Sequence, residues 1–230
     1  MSSSRQFLKE IYSHLFEVFG AQKWWPAETP FEVMVGAILT QNTNWKNVEK
    51  ALQNLKQSAA LQPNAMYQLS TSELELLIQP SGFFRQKAKR LKTFLKYFLE
   101  EYEGDVALMK EKSTSALREE LLALKGIGPE TADSILLYAL EKPIFVIDAY
   151  TKRILFRHYL ALEEDDYESL QDRFHSSFAD DHVYFNEYHA LLVQVGKNYC
   201  RPKNPKCSEC PLNAFNWNGG TYQRLSSSME

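Results

Sequence analysis

The run Leu124-Lys125-Gly126-Ile127-Gly128-Pro129-Glu130-Thr131-Ala132 constrains this chain more than any other stretch. Ahead of it, Ser115–Ala123 (SALREELLA) is rich in strong helix formers, with Leu117, Leu121 and Leu122 apolar on one side. Gly126 and Gly128 stop that helix and open backbone angles closed to other residues. Pro129 suits the first position of the next helix, where its missing N–H is not needed. The product is a tight turn between two helices, with bare N–H groups at a helix start, and such a place suits an anion. Gly-rich helix connections are common, so the turn alone does not select a function.

Twenty residues beyond Gly128 stands Asp148, in Val146-Ile147-Asp148-Ala149-Tyr150. An Asp directly before a helical run, here Ala149 to Leu160, reads alone as an ordinary N-cap. With the hairpin before it and Thr151-Lys152-Arg153 after it, the pattern resembles the helix-hairpin-helix DNA glycosylases of the endonuclease III superfamily. The resemblance runs from about residue 24 to Cys210. It implies an all-α, two-domain helix-hairpin-helix DNA glycosylase fold with a C-terminal iron–sulfur loop. It also implies that Lys125, Gly126, Ile127 and Gly128 hold the DNA backbone and that Asp148 is catalytic. The implied division is discontinuous. A helical barrel domain with the hairpin spans 28–145, and a second helical domain with the cysteine loop is built from 1–27 and 146–218. The groove between them would carry the hairpin on one wall and Asp148 on the other. Residues 219–230 are Gly/Ser-rich and polar, which predicts a disordered tail.

At 230 residues the chain can bury a sizeable core, as one large or two small domains. Its formal net charge of −3 is unlike that of most DNA-binding domains, so any affinity for DNA must come from local charge. Arg85, Lys87, Lys89, Arg90 and Lys92 form one basic cluster, and Lys197, Arg201, Lys203 and Lys206 another. Each also reads as a solvated face. The N-terminus (MSSSRQFLKE) has no apolar signal region and no window holds 18 apolar residues, so neither secretion nor a membrane partner is expected. Three cysteines crowded between 200 and 210 do not suggest a disulfide framework. The expected setting is the cytosol, with the chain a monomer acting on damaged double-stranded DNA.

Helical periodicity recurs at Arg5–Phe19, Phe31–Thr40, Trp45–Lys56, Ser72–Ile78, Gln86–Tyr102, Ser115–Ala123, Pro129–Leu140, Ala149–Tyr159, Tyr167–Phe178 and Val183–Asn198. Ser70 and Glu73 have capping-box spacing. No alternating strand of convincing length is visible.

Cys200, Cys207 and Cys210 read C-x6-C-x2-C. In endonuclease III relatives a fourth cysteine follows after five more residues and completes an iron–sulfur site. Here that position is Asn216, and an amide is a poor ligand for iron. The open readings are a 4Fe-4S cluster with one unusual ligand, a 3Fe-4S cluster, and a loop kept by packing alone. Zinc is a further option, though no His has the usual spacing. The cations between the cysteines, Arg201 and Lys203 with Lys206, would suit a phosphate backbone.

Bifunctional members of the superfamily carry a Schiff-base Lys two residues after the second hairpin glycine. Here that residue is Glu130, which implies a monofunctional enzyme. Trp24-Trp25-Pro26, the run from Val35 to Thr43, Trp45, and the run from Pro80 to Leu91 resemble the 3-methyladenine glycosylase branch. In that branch aromatics at the Trp24, Trp25 and Trp45 positions line the base pocket. Electron-rich rings suit a cationic alkylated purine, though aromatics are more often core. By the same resemblance Gln41 would fill the gap left by a flipped nucleotide and Phe83 would wedge beside its partner, with Phe84 next to it equally suited. The competing readings are a bifunctional glycosylase and abasic-site lyase for oxidised pyrimidines, and a non-catalytic DNA-binding relative. Glu130 opposes the first and Asp148 the second.

Overall fold

The computed structural model describes residues 4–162, 164–218 and 221–224, with the main chain alone at 4, 216–218 and 221–224. Among these residues the α-helices run in the order α1 (Ser4–Phe19), α2 (Pro30–Leu39), α3 (Trp45–Gln57), α4 (Pro63–Gln68), α5 (Thr71–Ile78), α6 (Phe84–Tyr102), α7 (Val106–Glu111), α8 (Thr114–Ala123), α9 (Pro129–Ser134), α10 (Ala149–Arg157), α11 (Tyr167–His175) and α12 (His182–Asn198). They form two compact units, one of Trp25–Lys142 and one of Met1–Trp24 with Pro143–Glu230. No helix is long and apolar enough to cross a membrane among the described residues.

The 25–142 unit is built around α2. Its sequence PFEVMVGAIL has no polar face, and Phe31 through Leu39 are buried, as expected of a helix covered on all sides. Thr29 caps it by accepting from the Glu32 N–H, and Pro30 fills its first turn. The amphipathic α6 lays Ala88, Leu91, Phe94, Leu95 and Phe98 into the same core, with the Phe98 ring stacked on Phe31 at 6.1 Å. The capping box at α5 is complete: Ser70 Oγ accepts from the Glu73 N–H, and the Glu73 carboxylate accepts from the Ser70 N–H.

The other unit packs α1, α10, α11 and α12 around an aromatic centre. Phe145 stacks on Phe174 at 3.7 Å and meets Phe185 edge-on. The buried Tyr188 hydroxyl donates to the Leu8 carbonyl at 2.9 Å, tying α12 to α1. Phe215 closes one end against Phe7 and His14.

Four features depart from the sequence expectation. Helices α4 and α7 were not expected, because six residues are too few to establish a period. The expected single helix Pro129–Leu140 is interrupted: after α9 the chain widens into a π-helix at Ile135–Ala139. A short hairpin follows the cysteines, with β1 (Phe215–Asn218) antiparallel to β2 (Thr221–Arg224) and Phe215 opposite Arg224. Strand β2 falls inside the stretch expected to be a disordered tail, of which 219–220 and 225–230 lie outside the described residues. Lastly, the basic cluster on α6 is not one solvated face. Lys87 is fully buried, Lys92 donates to the Tyr67 and Leu69 carbonyls at the end of α4, and Arg90 is half-buried, leaving Arg85 and Lys89 exposed.

Candidate active site

The hairpin is held from both sides. Ser113 caps α8 by accepting from the Ala116 N–H, and the turn closes where the Ile127 N–H donates to the Leu124 carbonyl at 3.0 Å. Arg118 of α8 makes a bidentate pair with Asp133 of α9, Nε to Oδ1 at 2.8 Å and Nη2 to Oδ2 at 3.2 Å, and Asp133 is fully buried. The two glycines differ. Gly126 has φ +94°, a left-handed angle that favours glycine. Gly128 has φ −103°, which any residue adopts, and a Cβ there would meet nothing within 4 Å. Neither its own backbone nor its packing demands glycine, so the bare N-terminal end of α9 is left open. Lys125, Gly126, Gly128 and Glu130 are exposed, while Ile127 anchors the turn in the core.

Gln41 lies against this hairpin. Its Nε2 donates to the Gly126 carbonyl at 3.1 Å and to Thr131 Oγ1 at 2.9 Å, and its Oε1 accepts from Arg90. Phe83 stands at the N-terminus of α6 with φ +45° and is 65% exposed. A left-handed angle at a bulky residue costs about 1–2 kcal/mol, and here it turns the ring outward. The neighbouring Phe84 is less exposed and carries Arg85 at 5.6 Å from its ring centre. Lys87 donates to the carbonyls of Leu39 at 2.9 Å and Ser81 at 2.6 Å. It thus fixes the segments that lead into both Gln41 and Phe83. Burial, with Arg90 nearby, brings its pKa down to about 8.

Trp25 and Trp45 meet at 5.1 Å in a T-shaped pair, and the Tyr138 ring lies tilted 5.1 Å from Trp25. Gly36 of α2 seats the Trp25 ring, which lies 3.5 Å from where a Cβ would stand. Tyr138 was missed in the sequence because it belongs to the π-helix, whose wider turn rotates it off the expected face. Trp24 falls in the other unit, as the last residue of its first segment.

Asp148 is the N-cap of α10, and its Oδ1 accepts from the Thr151 N–H at 2.7 Å. Its Oδ2 lies 3.6 Å from His189 Nε2, an electrostatic contact longer than a normal hydrogen bond. Burial pushes the Asp148 carboxyl upward, but His189 and the Thr151 bond outweigh it and hold the group below the ordinary carboxylate range. α12 carries both His189 and Gly196, seven residues apart and so on one face. Gly196 takes the Tyr150 ring, and this seats the first turn of α10. Neither α12 residue has a local signal in the sequence.

Two arginines of α10 hold the start of the cysteine loop. Arg153 Nε donates to the Cys200 carbonyl at 2.6 Å, and Arg157 donates to the Arg201 carbonyl at 2.8 Å and the Pro202 carbonyl at 3.1 Å. Arg157 also donates to Cys200 Sγ at 3.4 Å. Cys200 is buried, Cys210 partly buried and Cys207 exposed. Burial pushes the Cys210 thiol up, with a smaller contribution from Cys200 and Cys207. Thiolate sulfur is the kind of soft donor that an iron–sulfur cluster takes. No closed set of three or more His, Cys, Asp or Glu side chains stands ready for a metal ion among the described residues. The main chain of Asn216 is paired in β1 opposite Gln223. Arg201 and Lys203 are exposed, whereas Lys206 pairs with Glu209 at 2.8 Å.

The chain shares this architecture with known proteins. A protein of Methanocaldococcus jannaschii provisionally named a DNA repair glycosylase is 45% identical over 91% of this chain and 96% of its own length. Endonuclease III of Thermotoga maritima is 30% identical over 80% of each chain. The crystal structure of the H. pylori 3-methyladenine DNA glycosylase bound to 1,N6-ethenoadenine superposes with a TM-score of 0.71 at 32% identity, covering 85% of this chain and 97% of that one. Residues 200–215 match the iron-sulfur binding domain of endonuclease III, which implies an iron–sulfur cluster. Residues 35–179 match the HhH-GPD superfamily of base excision DNA repair proteins, and the chain belongs to that superfamily as a DNA glycosylase.

Proposed function

We propose that this glycosylase is monofunctional and releases N-alkylated purines, such as 3-methyladenine, from damaged double-stranded DNA by hydrolysis, acting as a monomer in the cytosol. The observation that carries the substrate is the group of electron-rich rings formed by Trp25, Trp45 and Tyr138. A purine alkylated on nitrogen is cationic, and such rings attract cations by about 0.5–2 kcal/mol per contact. Trp24 joins them by resemblance. The 32% identity to a 3-methyladenine glycosylase across nearly all of that chain supports the same choice.

Asp148 supplies the charge for the chemical step. Its depressed pKa keeps it ionised at neutral pH. A fixed carboxylate stabilises the positive charge that grows on the sugar as the glycosidic bond breaks, and orients the attacking water. The leaving base is already cationic and needs no acid to protonate it. The hairpin residues Lys125, Gly126, Ile127 and Gly128 hold the backbone, helped by Arg201 and Lys203. Gln41 fills the vacated site and Phe83, the more exposed of the two phenylalanines, is the wedge. Cys200, Cys207 and Cys210 would hold the iron–sulfur cluster, whose contribution is to close the basic loop.

Glu130 carries the monofunctional assignment, because a carboxylate cannot form a Schiff base. The test is base release from DNA containing methylated purines, oxidised pyrimidines or abasic sites, with and without alkali. Release of methylated purines, with strand breaks only after alkali, is the expected result. Breaks without alkali, or borohydride trapping of the protein on abasic DNA, would establish the bifunctional alternative. Release from no substrate would leave a DNA-binding relative.

A further inference from the structure

We propose that Arg90 is a positioning residue that couples the backbone-holding hairpin to Gln41, so that grip on the strand and insertion into the duplex act together. The proposal rests on the reading of Gln41 as the group that fills the vacated site.

Three contacts close a ring. The Arg90 side chain crosses the hairpin at Gly126 so closely that a Cβ there would stand 2.7 Å from its Cγ and Nε and 2.9 Å from its Cδ. The Arg90 guanidinium donates to Gln41 Oε1. Gln41 Nε2 returns to the hairpin through the Gly126 carbonyl and Thr131 Oγ1. The amide is therefore oriented, oxygen to the cation and nitrogen to the two acceptors. The carbonyl it uses belongs to the same planar peptide whose N–H closes the turn on Leu124. A tilt of that peptide when a phosphate seats on the hairpin reaches Gln41 through one rigid unit. Among the described residues Arg90 makes no ion pair, and its guanidinium hydrogen-bonds to Gln41 alone. The guanidinium is thus not spent on a carboxylate, and its planar fork lies along the glycine while reaching the amide end-on, which a lysine ammonium cannot do.

The test is a double-mutant cycle with Arg90→Met, which keeps the stem over Gly126 and removes the donors, Gln41→Ala, and the pair. The measurement is the ratio of affinities for a duplex carrying a tetrahydrofuran abasic analogue and for the same duplex intact, with the salt dependence of each. This ratio does not depend on which base is excised. Each single change is expected to lower the ratio about tenfold, the worth of one hydrogen bond to a charged group, and the double change no further than either alone. Losses that multiply in the double variant would show two independent residues and overturn the proposal. So would uniform weakening of both duplexes by Arg90→Met with a salt slope shallower by about one, the mark of a phosphate contact. A ratio untouched by Gln41→Ala would instead remove the underlying reading of Gln41, and the proposal with it. Arg90→Lys, which keeps stem and charge without the fork, repeats the cycle should Arg90→Met fail to fold.

Discussion

The Tyr150 ring lies so close to Gly196 that a Cβ on the glycine would stand 2.4 Å from Cδ1 and 2.6 Å from Cβ and Cγ of the tyrosine. Two helices meet at that point, and Asp148 begins one of them. Gly196→Ala must push α10 off α12. We expect a loss of about 1–3 kcal/mol, the usual cost of overpacking, together with slower base release. Adding Tyr150→Ala should restore part of the stability, which denaturant unfolding of the four cycle members would measure. Additive losses would show that the two side chains do not clash.

Two substitutions separate the helix cap that Asp148 provides from the chemistry proposed for it. Asp148→Asn keeps a side-chain oxygen for the Thr151 N–H and should stay folded while single-turnover base release is lost. Asp148→Ala should also lose about 1 kcal/mol of cap. Near-normal turnover in Asp148→Asn would remove the residue from the chemistry.

The carboxyl's depressed pKa fixes a pH dependence. A group held lower in the folded state contributes stability above its unfolded pKa, and that contribution fades as pH falls through the folded value. Base release should therefore persist below the ordinary carboxylate range before failing. His189→Gln removes the partner at 3.6 Å and should move the acid limb of the single-turnover profile to higher pH. An acid limb that stays in place would show that His189 does not act on Asp148.

Trp25→Ala, Trp45→Ala and Tyr138→Ala should each slow release of 3-methyladenine more than they weaken binding to intact duplex, since duplex affinity comes mostly from phosphates. Lys203→Ala should do the reverse. The comparison that decides is the excision ratio of 3-methyladenine to an oxidised pyrimidine. Three aromatic variants that keep the wild-type ratio would make those rings packing alone.

The cysteine loop predicts its own metal content. Protein purified without air should contain iron and sulfide and absorb broadly near 400 nm, a property of thiolate-bound clusters. With three cysteines the iron should be partial or lost in air, and Asn216→Cys should raise it. A colourless, metal-free protein of full stability would show that packing alone keeps the loop.

Much of this was legible in the sequence, for physical reasons that also mark its limits. The hairpin and Asp148 announce themselves because glycine, proline and a capping carboxylate act on their immediate neighbours. Helices longer than two turns show through their periodicity. Tyr138 did not show, because a π-turn breaks the period that would have placed it. His189 and Gly196 act on α10 from more than forty residues away, and nothing near them in the chain says so. Lys87 reads as a surface lysine because its acceptors, the carbonyls of Leu39 and Ser81, are created only by the fold.

The unlike settings of the two hairpin glycines make them a record of descent. Gly126 answers to the chain's own backbone and to Arg90, so any descendant that keeps the turn must keep it. Gly128 has an ordinary angle and empty space where a side chain would go, so only an outside molecule gives it a reason to stay small. In a lineage that kept this fold and abandoned DNA, Gly128 should drift first while Gly126 stands.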